Sequence, residues 1–250
     1  MERNDYIVTA DHLPQAFDGF RIAHVSDLHN DEMGDGNGKL LEMLRDSQPD
    51  IIAITGDMID SRDTNVGIAL EFAAEAVKIA PCYYVPGNHE SRVAAYESLK
   101  RGLTELGVTV LENRKVELTR NGSQITLLGV MDPSFRLFGD DGAVMEAQLQ
   151  ALAPGTEYTV LLSHRPELIE VYARYGMDLV LAGHAHGGQF RVPLVGGLYA
   201  PHQGLFPEYD SGLTVMGNTH MIVSRGIGNS IIPLRFNNPP EVILITLKCS

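Results

Sequence analysis

The feature that most constrains this chain is a series of short apolar runs rich in β-branched residues. They are "RIAHVS" (21–26), "DIIAIT" (50–55), "CYYVP" (82–86), "ITLLGV" (125–130), "YTVLLS" (158–163), "MDLVLA" (177–182), "LTVM" (213–216), "MIVS" (221–224) and "EVILITL" (241–247). Each is too short for a globular helix, and several are apolar almost throughout, as in strands buried on both faces. Helical patterns separate them. Leu40, Leu41 and Leu44 share one face, as do Ile68, Phe72, Ala76 and Ile79. The run 91–107 ends at Gly107, and Leu168, Val171 and Tyr172 precede a stop at Gly176. Strand and helix alternate in the first half, and the C-terminal part is mostly strand. This order predicts an α/β fold with mixed sheets covered by helices.

The composition excludes several alternatives. The chain has 250 residues, 44% hydrophobic and 20% charged, and can bury a sizeable core without disulfides. No internal repeat or linker divides it, so residues 1–250 read as one domain. Its two cysteines, Cys82 and Cys249, form no paired motif. The net charge of −13 argues against a broad nucleic-acid surface. No stretch approaches the ~20 apolar residues of a membrane span, and the opening residues do not form a signal peptide. The chain therefore reads as soluble as given. An anchor upstream of Met1 is compatible with the abrupt start, which leaves a cytoplasmic or a membrane-associated location open.

Polar residues gather just after the apolar runs. Asp27 and His29 follow the first, Asp57 and Asp60 the second, and Asn88, His89 and Glu90 the third; His164 follows the fifth, and His184 and His186 the sixth. Ligands in α/β sheets bind beyond the carboxyl ends of strands, so these segments converge on one edge. Singly, each has an ordinary explanation: a solvated turn, a helix cap at Asp57, or a satisfied core histidine at His164. Together they place metal-ligand residue types at five strand ends. Nitrogen and oxygen donors without thiolate suit Mn, Fe or Zn.

In order, "DLH", "GDMID", "GNHE", the isolated His164 and "GHAH" resemble the five signatures of the calcineurin-like metallophosphoesterases. The match runs from about Asp27 to His186. The downstream text "GGQFRVPLVGGLYAPHQGLFPEYDSG" and "VSRGIGNSIIPLRFNNPPE" resembles a bacterial branch of that family. That branch is often membrane-tethered and includes phosphodiesterases acting on nucleotide-linked lipids, such as UDP-2,3-diacylglucosamine hydrolases. The resemblance implies a four-layer α-β-β-α sandwich of two mixed β-sheets flanked by helices, with a metal site at the strand C-terminal ends.

It also implies two divalent or trivalent metal ions. Asp27, His29, Asp57 and His186 would hold the first, and Asp57, Asn88, His164 and His184 the second, with Asp57 bridging. His89 would serve the leaving oxygen. The nucleophile would be a metal-bridging hydroxide. Seven ligands with only two carboxylates leave such a centre electropositive, so an acidic protein can still bind a small phosphate ester. The family more often has aspartate where Glu90 stands, so Glu90 either orients His89 or merely follows it. Asp60 is expected to accept outer hydrogen bonds. His12, His24, His202 and His220 match no ligand position, and His24 reads as a core histidine. Asp132, His220 and Arg225 are candidates for the substrate side.

Residues 190–209 carry many apolar side chains among prolines and glycines. They read either as a loop packed on the core or as an apolar lid, which would suit a substrate with a lipid or nucleotide part or a peripheral membrane contact. The function expected is a metal-dependent phosphodiesterase. The rivals are a phosphomonoesterase, protein phosphatases included, and a non-catalytic metal-binding scaffold.

Overall fold

The computed structural model describes residues 1–229 and 234–250; residues 230–233 of the downstream signature lie outside the described residues. Twelve principal strands form two six-stranded sheets. The first sheet contains β1 (Glu2–Ala10), β2 (Arg21–Val25), β3 (Ile51–Thr55), β4 (Cys82–Val85), β5 (Thr109–Val110) and β12 (Glu241–Cys249), in the order β1-β12-β2-β3-β4-β5. The second contains β6 (Arg114–Arg120), β7 (Ser123–Gly129), β8 (Thr159–Leu162), β9 (Leu179–Ala182), β10 (Gly212–Met216) and β11 (Thr219–Val223), in the order β10-β11-β9-β8-β7-β6. Both are mixed. β2, β3, β4 and β5 are parallel, whereas β12 runs antiparallel to β2. β7, β8, β9 and β11 are parallel, with antiparallel β6 and β10 at the two edges.

The continuous apolar runs follow from this layering. Five helices cover the outer faces: α1 (Gly38–Ser47), α2 (Gly67–Ala76), α3 (Tyr96–Glu105), α4 (Asp141–Leu152) and α5 (Ile169–Arg174). Three apolar cores fill the three gaps between four layers. Ile52 and Ile54 pack with Leu44, Phe72 and Leu99 of α1–α3. Ile51 and Ala53, one residue out of phase, join Ile22, Leu127, Val160, Leu181 and Ile243 between the sheets. Leu161 and Val180 pack with Met145, Leu149 and Tyr172 of α4 and α5. Side chains alternate across a strand, so a strand with core on both sides needs apolar residues at every position. Burying one such side chain contributes about 1.5–3 kcal/mol, and many are needed against chain entropy.

Among the elements that depart from the sequence reading are an edge strand and a helix. The Arg114–Arg120 strand was not apparent, because as an edge strand it carries exposed charges at alternate positions. α4 was also not apparent; its apolar and polar residues are mixed around the cylinder, and its N-terminus is fixed by the Asp140 side chain accepting the Ala143 N–H. Among the described residues, no helix is long and apolar enough to cross a membrane.

Candidate metal centre

β2, β3 and β4 of one sheet and β8 and β9 of the other end side by side, and β3 packs on both β8 and β9. The turns beyond them are laced together. The Asp27 N–H donates to Gly56 O and the His29 N–H to Asp57 O, each at 3.0 Å. The His184 N–H reaches Asp27 Oδ2 at 3.1 Å, joining the two sheets at the site.

The backbone there is unusual. Asp27, His29, Asp57, His184 and His186 all have positive φ, between 48° and 69°. Non-glycine residues seldom adopt this conformation, and such residues concentrate at functional sites. Gly183 has a different task. A Cβ on it would collide with Ser26 Oγ and Asp27 Oδ2, so glycine is needed for close approach of β9 to the turn after β2. The sharp turn expected from Gly183 is instead made by His184 and His186 themselves.

The side chains form two clusters. In the first, His186 Nε2 lies 3.1 Å from His29 Nε2 and 3.3 Å from Asp27 Oδ1. In the second, His164 Nε2 lies 3.1 Å from Asp57 Oδ2, and the His164 and His184 rings are 4.9 Å apart. Within each group the potential ligand atoms lie within 4.8 Å of one another. Asp57 stands between the clusters, its Oδ2 also 3.6 Å from His29 Nε2. All these side chains are buried. Buried Asn88 Oδ1 and His164 Nε2 have no hydrogen-bond partner. Unpaired buried acceptors are costly, and unpartnered oxygen and nitrogen donors beside two carboxylates fit a metal pair. His164 Nδ1 lies 2.6 Å from Thr55 O. A carbonyl only accepts, so Nδ1 carries a proton, and Nε2 is the nitrogen that faces the cluster.

Electrostatics bind the groups together. Burial opposes ionisation of Asp27 and Asp57, yet the surrounding imidazoles hold both carboxyls well below the usual range. Burial also disfavours charge on His29 and His164, but Asp27, Asp60 and Asp57 override it at His29, and Asp57, Asp27 and Asp132 at His164, raising both rings to about 10. Burial dominates at His186, which falls to about 3, and at His184. His89 is lowered by burial; its Nδ1 accepts the Ser61 N–H at 3.0 Å, which leaves the ring proton on Nε2.

Asp57, Asn88, His89, Arg92, His184, His186, Pro201 and His202 line a cavity of about 70 Å³ at these clusters. None of the three residues expected on the substrate side lines it. Asp132 is buried against the Arg165 guanidinium, with Nε 3.1 Å from Oδ2. Arg225 is held by Glu241 and Glu2, at 2.8 and 3.0 Å, where β1 and β12 begin. His220, the second residue of β11, pairs with Leu179 at the start of β9, in a separate hollow of about 350 Å³ with His12, Tyr158 and Asp178. His24 is a core histidine; its Nε2 lies 2.7 Å from Thr55 Oγ1. Asp60 accepts from Arg62 and stands 3.7 Å from Nδ1 of both His29 and His89.

Three residues at the site were not foreseen. His202 Nδ1 lies 2.8 Å from His184 Nε2. Arg165, wholly buried, touches both of those rings and pairs with Asp132, Asp141 and Glu167. Its guanidinium supplies the cation where Glu167, His184 and His202 approach one another. Arg235 Nη2 is 3.5 Å from His186 Nδ1. His202 and Arg235 follow no apolar run, and Arg165 follows one but is not a metal-ligand residue type, so the strand-end signal misses all three. Glu90 neither orients His89 nor merely follows it: its carboxylate accepts four backbone N–H groups from two turns.

The 190–209 segment forms two small hairpins, Arg191–Val192 with Gly196–Gly197 and Tyr199–Ala200 with Gly204–Leu205. Leu194, Val195, Leu205 and Phe206 are exposed, whereas Ala200 is buried in the core, so the segment packs on the core only in part and leaves several apolar side chains at the surface.

Fold and site together define an α/β protein with two candidate metal clusters at the junction of its sheets. The calcineurin-like phosphoesterase family matches residues 20–188, and the chain belongs to that family. It is 32% identical to the uncharacterized metallophosphoesterase YkuE of Bacillus subtilis, covering 99% of this chain and 86% of that protein. It is 30% identical to the phosphodiesterase YaeI of Escherichia coli, covering 91% and 82%. Among solved structures, TT1561 of Thermus thermophilus aligns with a TM-score of 0.58 at 14% identity, over 83% of this chain and 90% of that one. The phosphopantetheinyl hydrolase PptH of Mycobacterium tuberculosis aligns with a TM-score of 0.54 at 16% identity, over 83% and 89%. The protein is a metallophosphoesterase.

Proposed function

We propose that this metallophosphoesterase is a phosphodiesterase with a dinuclear centre. Asp27, His29, Asp57 and His186 hold one ion, and Asp57, Asn88, His164 and His184 the other. The observation that carries this reading is the place of Asp57, whose Oδ2 is 3.6 Å from His29 Nε2 in one cluster and 3.1 Å from His164 Nε2 in the other. When bound, the ions supply Lewis acidity that offsets phosphate charge and activates water near neutral pH.

The remaining chemistry belongs to the chain. The His89 N–H donates to Asp57 Oδ1 at 2.8 Å, so this residue is fixed relative to the carboxylate between the clusters. With its proton on Nε2, His89 donates to the leaving oxygen. Arg92 lines the same cavity and attracts an anionic ester. The exposed apolar side chains of residues 190–209 form a ledge that supports a substrate with a lipid-like or aromatic part, or a peripheral membrane contact. The name of the Escherichia coli relative supports a diester over a monoester.

Metal analysis of the purified protein, paired with turnover of a bis-ester and a monoester in Mn²⁺, Fe²⁺ or Zn²⁺, tests this function. Two ions per chain and preferred bis-ester hydrolysis are expected. Fewer than two ions, with no turnover under any of these metals, would overturn it.

A further inference from the structure

His202 stands at the tip of the Tyr199–Leu205 hairpin with φ of +61°. It comes from outside the five strand-end motifs, yet lines the cavity at the clusters. Arg165 approaches the same point from within the protein. Arginine is purely a donor. Its Nη1 lies 2.5 Å from His202 Nδ1 and 3.3 Å from His184 Nε2. His184 Nε2 lies 2.8 Å from the same His202 Nδ1. The two shortest contacts among these three nitrogens, 2.5 and 2.8 Å, meet at His202 Nδ1, so that nitrogen is the shared acceptor, its ring's proton is on Nε2, and the longer 3.3 Å side joins two donors. Two facing lone pairs between the histidines would repel, so His184 Nε2 carries a proton and donates it.

We infer that His202 and Arg165 are positioning residues that fix His184 in the tautomer whose lone pair is on Nδ1, the nitrogen then free for metal. The inference rests on the reading of His184 as a metal ligand. It parallels His164, where Thr55 O holds the proton on one nitrogen and leaves the other to face the cluster. It also has a functional consequence. The hairpin that carries His202 carries exposed Leu205, with Phe206 just beyond it. A substrate seated on that ledge therefore bears on the residue that sets the His184 proton. Arg165 is held for this role by Asp132, Asp141 and Glu167, which confine the guanidinium to one place.

The test compares His202→Gly with His202→Asn. Glycine tolerates the positive φ and removes the acceptor, whereas asparagine also tolerates that φ and returns an oxygen near the place of Nδ1. Zinc affinity is measured by chelator competition, ion content by elemental analysis, and the His184 tautomer by ¹⁵N NMR of the zinc-loaded protein. In the wild type the His184 proton is expected on Nε2 with two ions bound. His202→Gly should weaken one of the two ions by about 10–100-fold and leave the other unchanged, and His202→Asn should restore most of that loss. With two ions bound, a His184 proton on Nδ1, unchanged affinity in His202→Gly, or equal losses in both variants would overturn the inference. Fewer than two ions in the wild type would instead overturn the ligand assignment, and the inference with it.

Discussion

The Glu90 carboxylate accepts the Asp57 backbone N–H at 2.9 Å, tying the turn after β4 to the turn after β3. It also accepts the N–H groups of Met58, Ile59 and Gly87, at 2.7, 3.2 and 2.8 Å. The Asp57 backbone is thus held by a side chain that is not itself a proposed ligand. Replacing Glu90 with Gln turns an amide toward backbone donors and leaves some of them unpaired. The expected cost is about 1–3 kcal/mol, or a melting temperature lower by roughly 2–12 °C, with weaker metal binding. Thermal melts with and without Mn²⁺ check this; an unchanged melting temperature would remove Glu90 from the account.

Asp57→Asn keeps the shape of the side chain but removes the charge between the clusters. The chain should fold, retain fewer than two ions and lose activity by about 100-fold or more. Metal content and kcat/KM measured on one preparation decide this. Full activity with one ion would show that Asp57 does not bridge.

Gly183→Ala adds a single methyl group where Ser26 Oγ and Asp27 Oδ2 already sit. Overpacking of this kind costs about 1–3 kcal/mol, and here the displaced group is a proposed ligand. Loss of ion binding should therefore exceed the loss of stability. Urea unfolding and metal titration of the variant separate the two effects. A variant with normal affinity would mean that Asp27 can shift without consequence.

His24 carries the pH dependence that can be tested apart from the metal ligands. Burial lowers its pKa to about 3, from an ordinary value of 6.5. The unfolded chain then binds more protons between those values, so stability is lost as pH falls below 6.5. The slope is about 1.4 kcal/mol per pH unit. His24→Gln can still donate to Thr55 Oγ1 and does not titrate. Between pH 6.5 and 5, the wild type should lose about 2 kcal/mol more than the variant, read from urea denaturation at each pH. Parallel losses would show that His24 is not the source.

The proposed role of the exposed apolar side chains in residues 190–209 predicts that they separate substrates by their apolar part. Leu205→Ser with Phe206→Ser removes two exposed apolar side chains without touching the core. Turnover of a lipid-like phosphodiester should fall by about tenfold or more, while a small chromogenic ester should be nearly unaffected. Equal losses on both would make the ledge structural.

Much of the fold was legible because it is written in local patterns. Ile51 to Ile54 announce a strand with core on both sides, and the order of runs announces alternating helices and strands. α4 escaped because its side chains do not separate cleanly into apolar and polar faces, and the Arg114–Arg120 edge strand because Val116 and Leu118 are its only apolar residues. The site was legible where residues directly follow strands, as at Asp27, Asp57 and His184. It was not legible at Arg165, His202 and Glu90, whose partners lie far along the chain or in backbone groups of another turn. His220 and Arg225 were plausible by type and by neighbouring glycines, but nothing local indicates which end of a strand faces the site.

By itself the sequence determined the residue types at each strand end, the family they belong to, and the apolar character of each layer. These depend on short-range order, which a chain carries before it folds. Only the tertiary structure decided how the histidines divide. His186 joins His29 and Asp27, whereas His184 faces His164 and His202, though the two are adjacent but for Ala185. The physical reason is that both residues take positive φ, a conformation held by the packing of two sheets rather than preferred by histidine. Proton positions follow the same rule: a ring nitrogen donates or accepts according to the carbonyl, amide or guanidinium that folding sets against it.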